Sequence, residues 1–226
     1  MKTLNFNIQK MDFLVALYVF CVLIAELMGG KTIPLMKLGT YQLNASVAIF
    51  VFPFIFTIND IVTEVYGKER IRSIIRSTLV MIFLVIVVSL SFTALPPSTR
   101  FEATENAYDQ VFSISARIAA ASLTAFTIAE FTDVLIFTKI RQRLGTKALW
   151  LRNNVSNFVA QFADTTLFIT LAFYNFALPF DQNWVFLLSL ILPYWLLKCA
   201  VSVIETPFVY WGVSWLRNDQ QARQSF

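Results

Sequence analysis

Long apolar runs constrain this chain more than any other feature of its sequence. A helix that crosses a bilayer needs about 20 mostly apolar residues. Six segments meet that length, at about 11–30, 44–66, 74–95, 111–138, 152–178 and 184–216. Apolar residues make up 57% of the chain and charged residues only 14%, whereas soluble domains carry about 25% charged residues. The sequence therefore predicts an all-α membrane protein with six transmembrane helices, folded as one domain over residues 1–226.

Prolines predict irregular geometry in the second and sixth helices. Pro53 lies in the second segment, and Pro193 and Pro207 lie in the sixth, which is too long for one straight crossing. Proline removes a backbone donor and clashes with the preceding turn, so a kink or break is expected in both helices. Between the first two helices, turn-forming residues predict an extended or hairpin-like stretch that ends near Asn44; these are Gly29, Gly30, Pro34 and Gly39.

Lysine and arginine fall in two unequal sets around the segments. Thirteen lie on the side of the N-terminus, including a basic loop after Gly67, and three lie on the other side. Because Lys- and Arg-rich loops remain in the cytoplasm, both termini are predicted to be cytoplasmic. The longest loop on the opposite side is expected to be acidic, with Glu102, Glu105 and Asp109. The bases form no dense tail or stripe, so no nucleic-acid partner is expected.

Half of the acids fall inside the apolar segments. Leaving aside the first turn of each segment, seven of the fourteen do so, with the bases Arg117 and Lys198. On insertion scales each charge costs about 2.5–3.5 kcal/mol at the centre of a spanning helix. These side chains must therefore line a hydrated cavity, pair with one another or be neutralised. The seven acids are Glu26, Asp60, Glu64, Glu130, Asp133, Asp164 and Glu205.

Helical spacing predicts which of these groups converge. On the fifth helix Asn157, Gln161 and Asp164 follow i, i+4, i+7, and on the sixth Lys198 and Glu205 share one face. Two polar stripes at similar depth are typical of a midplane solute site. We expect a substrate site between helices 2, 4, 5 and 6, in the inner half of the membrane, formed by Asp60, Glu130, Asn157, Gln161, Asp164, Lys198 and Glu205.

The remaining buried charges have structural alternatives. Glu26 and Arg117 both fall toward the outer side, so an ion pair between them is as plausible as a substrate contact. Glu64 lies four residues before Lys68, which favours an interfacial pair. Asp133 lies near a helix end and is expected to snorkel or to pair with a loop arginine. A gating role for Glu26, Glu64, Arg117 and Asp133 stays open. In the expected substrate site, a direct pair between Asp164 and Lys198 would lower the free-energy cost of burying both charges.

Several classes of chemistry lack their usual residues. The chain contains no histidine, and its two cysteines lie in separate apolar segments without C-x-x-C spacing. There is no P-loop, no His-Glu-x-x-His and no nucleophile elbow. We therefore expect a protein that is not an enzyme, hydrolyses no ATP itself and binds neither a cofactor nor a metal.

One motif resembles a known family. The segment Phe52–Lys68 reads FPFIFTINDIVTEVYGK, in which a proline-containing apolar run precedes an aspartate, a glutamate one turn on, and Tyr-Gly before basic residues. This segment resembles the queuosine precursor transporter family, also called the vitamin uptake transporter family. Further matches extend the resemblance over nearly the whole chain; they are Arg152-Asn153-Asn154 with Ser156, Gln161, Asp164-Thr165, Phe168, Lys198 and Thr206-Pro207.

The resemblance implies uptake of 7-cyano- or 7-aminomethyl-7-deazaguanine across the cytoplasmic (inner) membrane of a bacterium. The expected mechanism is secondary or facilitated transport with alternating access. Two alternatives stay open: a substrate-binding membrane subunit that needs a separate energising partner, and a carrier for another nucleobase-like or vitamin solute. The expected partners are the lipid bilayer and a small nucleobase-like molecule, and a homo-oligomer is also left open.

Overall fold

The protein is almost entirely helical. The computed structural model describes residues 8–144, 149–204 and 206–224, without the side chains of 38, 130, 131, 133–138, 140–144, 149–157, 199, 201–203, 206 and 218–224. Its elements are α1 (Lys10–Met28), β1 (Thr32–Leu38), β2 (Tyr41–Ser46), a 3-10 helix (Val47–Phe50), α2 (Phe52–Tyr66), α3 (Lys68–Thr93), α4 (Glu102–Leu144), α5 (Leu149–Phe173), α6 (Phe180–Ile204) and α7 (Thr206–Gln224).

Length and composition identify four membrane-spanning candidates among the described residues. They are Lys10–Met28, Val47–Tyr66, Lys68–Thr93 and Glu102–Ala129, and a shorter apolar helix covers Phe158–Phe173. The chain is thus a multi-pass membrane protein. The predictions of six crossings and of cytoplasmic termini go beyond these four helices and stay predictions.

Two regions expected to be loops are helical. The basic residues after Gly67 form the first turns of α3, which begins at Lys68. On the other side, the acidic residues Glu102 and Glu105 lie in the first turn of α4. Carboxylates are favourable at a helix N-terminus because they complement the partial positive charge there, and this local preference extends α4 beyond its apolar part.

Gly67 allows α2 and α3 to follow each other without a loop. It is the one residue between the two helices, and its φ is 83°. That left-handed region is accessible to glycine at little cost, whereas a Cβ atom would be strained there. The Tyr-Gly pair of the sequence motif therefore marks a tight corner between two helices.

The prolines occupy different structural positions. The second segment begins as the 3-10 helix, and α2 starts at Phe52, so Pro53 lies in the first turn, where no intrahelical N–H bond is lost. The irregularity expected there thus lies before α2, not within it. Pro193 lies inside α6, and Pro207 is the second residue of α7; Glu205, between these helices, lies outside the described residues, and a kink in this region stays a prediction.

The hairpin-like stretch between the first two helices is confirmed. β1 and β2 pair antiparallel with an irregularity between Pro34 and Met36. The hairpin docks on α6, because Asn44 Nδ2 donates to Ser189 Oγ at 2.8 Å and the Tyr194 hydroxyl donates to the Ser46 carbonyl at 3.2 Å. The fold is therefore not purely α-helical, and the hairpin closes one end of the bundle.

Apolar clusters hold the helices together. The largest joins α1, α2, α3, α4 and α7 around fully buried residues such as Val62 and Leu216. The second joins the hairpin, α5 and α6 around Ile169, Leu190 and Ile191. Hydrocarbon is as apolar as these side chains, so close packing rather than exclusion of water stabilises such contacts.

Gly212 sets the distance between α7 and α2. A Cβ atom at this position would overlap the side chain of Ile61. We expect Gly212→Leu to destabilise the protein by about 1–3 kcal/mol, the usual cost of overpacking, and to lower its thermal unfolding midpoint in detergent. The matched control is Ser214→Leu, which introduces the same side chain at an exposed position two residues away. Equal midpoints for the two variants would contradict this packing.

Candidate functional site

A cavity of about 240 Å³ lies in the middle of the helix bundle. Residues from each helix between α1 and α6 line it, together with Ser46 at the end of the hairpin. Its walls are largely aromatic and aliphatic. Phe52 of α2 packs edge-on against Tyr194 of α6, with ring centroids 5.6 Å apart, and stacks on Phe56; Phe126 and Phe168 add aromatic surface from α4 and α5.

An ion pair between α5 and α6 forms one polar part of this cavity. Lys198 Nζ donates to Asp164 Oδ2 at 2.7 Å, and the two side chains are 13% and 28% exposed. The short distance is typical of a charge-assisted hydrogen bond. The pair considered from the sequence is thus present, and it leaves two of the three ammonium donors of Lys198 for other groups.

Glu26 forms a second polar part of the cavity, near the hairpin end. Its side chain is only 5% exposed, and Oε2 has no hydrogen-bond partner among the described residues. The Ser122 side chain of α4 approaches the carboxyl group. Glu26 lies two residues before the end of α1, and Ser46 and Gly29 line the same region.

The ion pair considered between Glu26 and Arg117 is absent. Arg117 donates from Nε to the Leu171 carbonyl at 2.9 Å and from Nη2 to the Tyr174 carbonyl. These carbonyls lie at the C-terminal end of α5, where no further helical turn supplies donors. The guanidinium therefore caps α5, because its fixed donors match two backbone acceptors.

The partner expected for Glu64 is also wrong. Glu64 Oε1 accepts from Arg217 Nη2 of α7 at 3.2 Å, and both side chains are more than half exposed. Lys68 lies beyond the corner at Gly67, in the next helix. Because that corner ends α2, the i, i+4 geometry between Glu64 and Lys68 is lost. The contact instead links α2 to α7.

Asp60 does not line the cavity, although its neighbour Asn59 does. Phe52, Phe56 and Asn59 follow i, i+4, i+7 and share the face of α2 that borders the cavity. Asp60 is one residue further, about 100° round the helix, and its side chain is exposed. On α2, Asn59 and not the predicted Asp60 borders the cavity, and a substrate contact of Asp60 stays a prediction.

The other predicted site residues do not line the cavity or lie outside the described residues. Gln161 is half-buried and is not among the cavity-lining residues. The side chains of Glu130, Asp133 and Asn157, and the whole of Glu205, lie outside the described residues. The predicted positions of these four side chains in the site stay predictions.

The cavity extends from Ile75 of α3 to Gly29 and Ser46 at the hairpin end, so it reaches beyond the half of the membrane in which the sequence predicted the site. Glu26, Ser46 and Phe52 belong to that end, and Asp164 and Lys198 line the deeper part. The expected site was in the half of the membrane that carries the basic residues. That expectation followed the acids of α2 and α4, whereas aromatic side chains such as Phe52, Phe126 and Phe168 border the open space.

Sequence reasoning missed several polar groups of the cavity. Tyr18 lies on α1, Thr165 follows Asp164 on α5, and Tyr194 lies on α6. One signal was available, since Tyr18, Val22 and Glu26 follow i, i+4, i+8 and share one face of α1. No comparable signal marks Tyr194, which resembles any other aromatic residue of an apolar helix.

Several buried oxygen atoms of the residues that line this cavity have no hydrogen-bond partner among the described residues. Besides Glu26 Oε2, Asn59 Oδ1 and Thr165 Oγ1 are buried without a hydrogen-bond partner among the described residues. Within the same part of the chain, no group of three or more Cys, Asp or Glu side chains could hold a metal ion. The cavity thus offers acceptors, one ammonium group and aromatic walls to a small, flat solute with hydrogen-bond donors.

Comparisons with known proteins identify similar sequences that are described as transporters. A family model described as "Putative vitamin uptake transporter" matches residues 46–212. A "Probable queuosine precursor transporter" of Bacillus subtilis is 30% identical over 207 residues, which is 90% of this chain and 84% of that protein. A protein of Haemophilus influenzae with the same name is 30% identical over 158 residues, 68% of this chain and 64% of its own length. No solved structure matches this chain.

The Asp164–Lys198 pair allows a stability prediction. Lys198→Ala leaves a half-buried carboxylate without its partner, and we expect a loss of about 1–3 kcal/mol. That is less than the 3–5 kcal/mol of a fully buried pair, because Asp164 keeps some exposure. The double variant Asp164→Asn/Lys198→Ala removes both charges and should regain most of the loss. Thermal unfolding in detergent measures both, and a double variant no more stable than Lys198→Ala would contradict the pairing.

Proposed function

This chain belongs to the vitamin uptake transporter family, and from that premise we propose that it carries queuosine precursors into the cytoplasm of a bacterium. It is a transporter and not an enzyme. The proposed substrates are 7-cyano- and 7-aminomethyl-7-deazaguanine, and the proposed location is the inner membrane. Three relatives that carry the name queuosine precursor transporter support this choice of substrate, including one of Escherichia coli that is 30% identical over 126 residues.

The acceptor-rich aromatic cavity is the observation that carries this proposal. A 7-deazaguanine is flat and apolar on both faces, which suits walls formed by Phe52, Phe168 and Tyr194. Its edge carries an N1–H and a 2-amino group as donors and a carbonyl oxygen as acceptor. Buried acceptors without partners are costly, and such a solute would satisfy them. Sites for drug-sized ligands measure about 300–1,000 Å³, so a cavity of 240 Å³ suits a smaller, nucleobase-sized molecule.

Lys198 supplies a donor for the carbonyl oxygen of the base. Its ammonium group is held by Asp164, which orients the remaining donors toward the cavity that both residues line. Adenine presents an amino group in place of that carbonyl and a bare nitrogen in place of N1–H. Binding adenine would leave buried polar groups unpaired, and sites of this type reject such analogues strongly.

Alternating access is the mechanism that we propose for this carrier. The cavity lies among helices that come from both halves of the chain, so rocking of one group of helices against the other would open it to either side. Carboxyl groups inside the bundle would allow coupling to protons, and facilitated uptake followed by metabolic trapping would serve equally. The same cavity would also suit a binding subunit that works with a separate energising partner.

Uptake by the chain alone separates a carrier from a binding subunit. We expect proteoliposomes that contain only this protein to accumulate radiolabelled 7-cyano-7-deazaguanine above the level of empty liposomes. Excess unlabelled deazaguanine should compete, and adenine should not. Binding without uptake would indicate the subunit, and neither binding nor uptake would contradict the proposed substrate.

Variants of the ion pair test its part in uptake. We expect Asp164→Asn and Lys198→Ala each to reduce uptake at least tenfold while the protein remains inserted in the membrane. The double variant should fold more stably than Lys198→Ala yet stay inactive, which separates a role in binding from a role in stability. Glu64→Gln is the matched control, because its partner Arg217 lies outside the cavity, and its effect should be smaller. Normal uptake by either single variant would contradict this assignment.

A further inference from the structure

Glu26 is a buried acid that is not part of the ion pair between Asp164 and Lys198. It is 5% exposed, it lines the cavity, and its Oε2 atom has no partner among the described residues. A buried carboxylate without a partner costs several kcal/mol of unfavourable desolvation. A protein keeps such a group where something that enters the cavity interacts with it.

The two basic residues inside the predicted helices do not pair with that oxygen. Arg117 donates to two carbonyls at the end of α5, and Lys198 is engaged with Asp164. The Ser122 side chain approaches the carboxyl group but does not provide a partner for Oε2. In the described part of the chain, Glu26 therefore has no basic partner.

Two further unpaired atoms border the same cavity. Asn59 Oδ1 comes from α2 and Thr165 Oγ1 from α5, whereas Glu26 comes from α1. Three helices thus each present a buried oxygen without a partner among the described residues: a carboxylate and an amide oxygen, which accept, and a hydroxyl, which can accept or donate. A carboxylate accepts two parallel N–H bonds when the donors are adjacent, and the N1–H and 2-amino hydrogens of a 2-aminopyrimidin-4-one ring are adjacent donors.

We infer that Glu26 is the residue that selects the 2-amino edge of the substrate, an inference that rests on the proposed function. Its carboxylate accepts hydrogen bonds from the N1–H and 2-amino groups, with Asn59 and Thr165 as neighbouring acceptors. The amino edge of the base then lies toward the hairpin end of the cavity. This assignment replaces Asp60, which is exposed, and Asp164, which Lys198 already holds.

The test compares ligands with and without the 2-amino group. Equilibrium binding of 7-cyano-7-deazaguanine and of its 2-desamino analogue is measured on the purified full chain, wild type and Glu26→Gln. A charge-assisted hydrogen bond corresponds to about a 10- to 100-fold change in affinity, so wild type should prefer the aminated base by about that factor. Glu26→Gln should lose most of this preference, because the amide keeps one acceptor oxygen, has no charge and presents an NH₂ donor in place of the second oxygen that two adjacent ligand donors need.

Two further variants separate recognition from folding. Glu26→Asp keeps the carboxylate one methylene further back, so it should bind more weakly but retain the preference for the 2-amino group. Glu102→Gln, an exposed acid at the start of α4, should behave as wild type. Thermal unfolding in detergent shows whether each variant is folded.

The outcomes distinguish this inference from the proposed function. If wild type binds the deazaguanine and Glu26→Gln keeps the full preference, or loses affinity for both ligands equally, the assignment of Glu26 is wrong while the proposed function stands. If wild type binds no deazaguanine, the proposed function and the inference both fail. A selective loss in Glu26→Gln that Glu26→Asp restores supports the inference.

Discussion

The ion pair between Asp164 and Lys198 is the contact on which the cavity depends. Hydrocarbon offers no hydrogen bonds to a charged side chain, so every charge inside the bundle needs a partner or water. The pair joins α5 to α6 at 2.7 Å and keeps both charges beside the cavity instead of in lipid. Around it, aromatic side chains line the open space between the helices.

The two polar parts of the cavity differ in how their charge is compensated. The deeper part is a paired acid and base, whereas Glu26 near the hairpin end has an oxygen without a partner. A carrier must hold its solute firmly enough for selection and weakly enough for release. Under the proposed mechanism, acceptors distributed over α1, α2 and α5 would serve both needs, because relative movement of these helices would separate the groups proposed to hold one edge of the solute.

Contacts outside the cavity hold the surrounding framework. Arg117 caps the end of α5, Ser46 ties the hairpin to the end of α1 by donating to the Gly29 carbonyl at 2.6 Å, and Arg217 links α7 to α2. At the same end as that last link, Lys10 donates to the Trp215 carbonyl at 2.8 Å. Arg117 and Glu64, which the sequence offers as candidates for transport, thus make contacts that stabilise the fold. Only the partner of such a side chain distinguishes a structural role from a role in transport.

The sequence by itself determined that this is a helical, multi-pass membrane protein, because apolar runs of spanning length are typical of helices that cross a bilayer. It also determined the hairpin, through glycine and proline spacing, and the need for a polar interior, through the cost of buried acids. Tertiary structure decided which acids share a cavity. On α2, Asn59 faces the cavity and the next residue, Asp60, does not. The partner of each charge depends on which helix packs beside it. Helical periodicity defines the faces of a helix, but packing against neighbouring helices decides which face meets the open space.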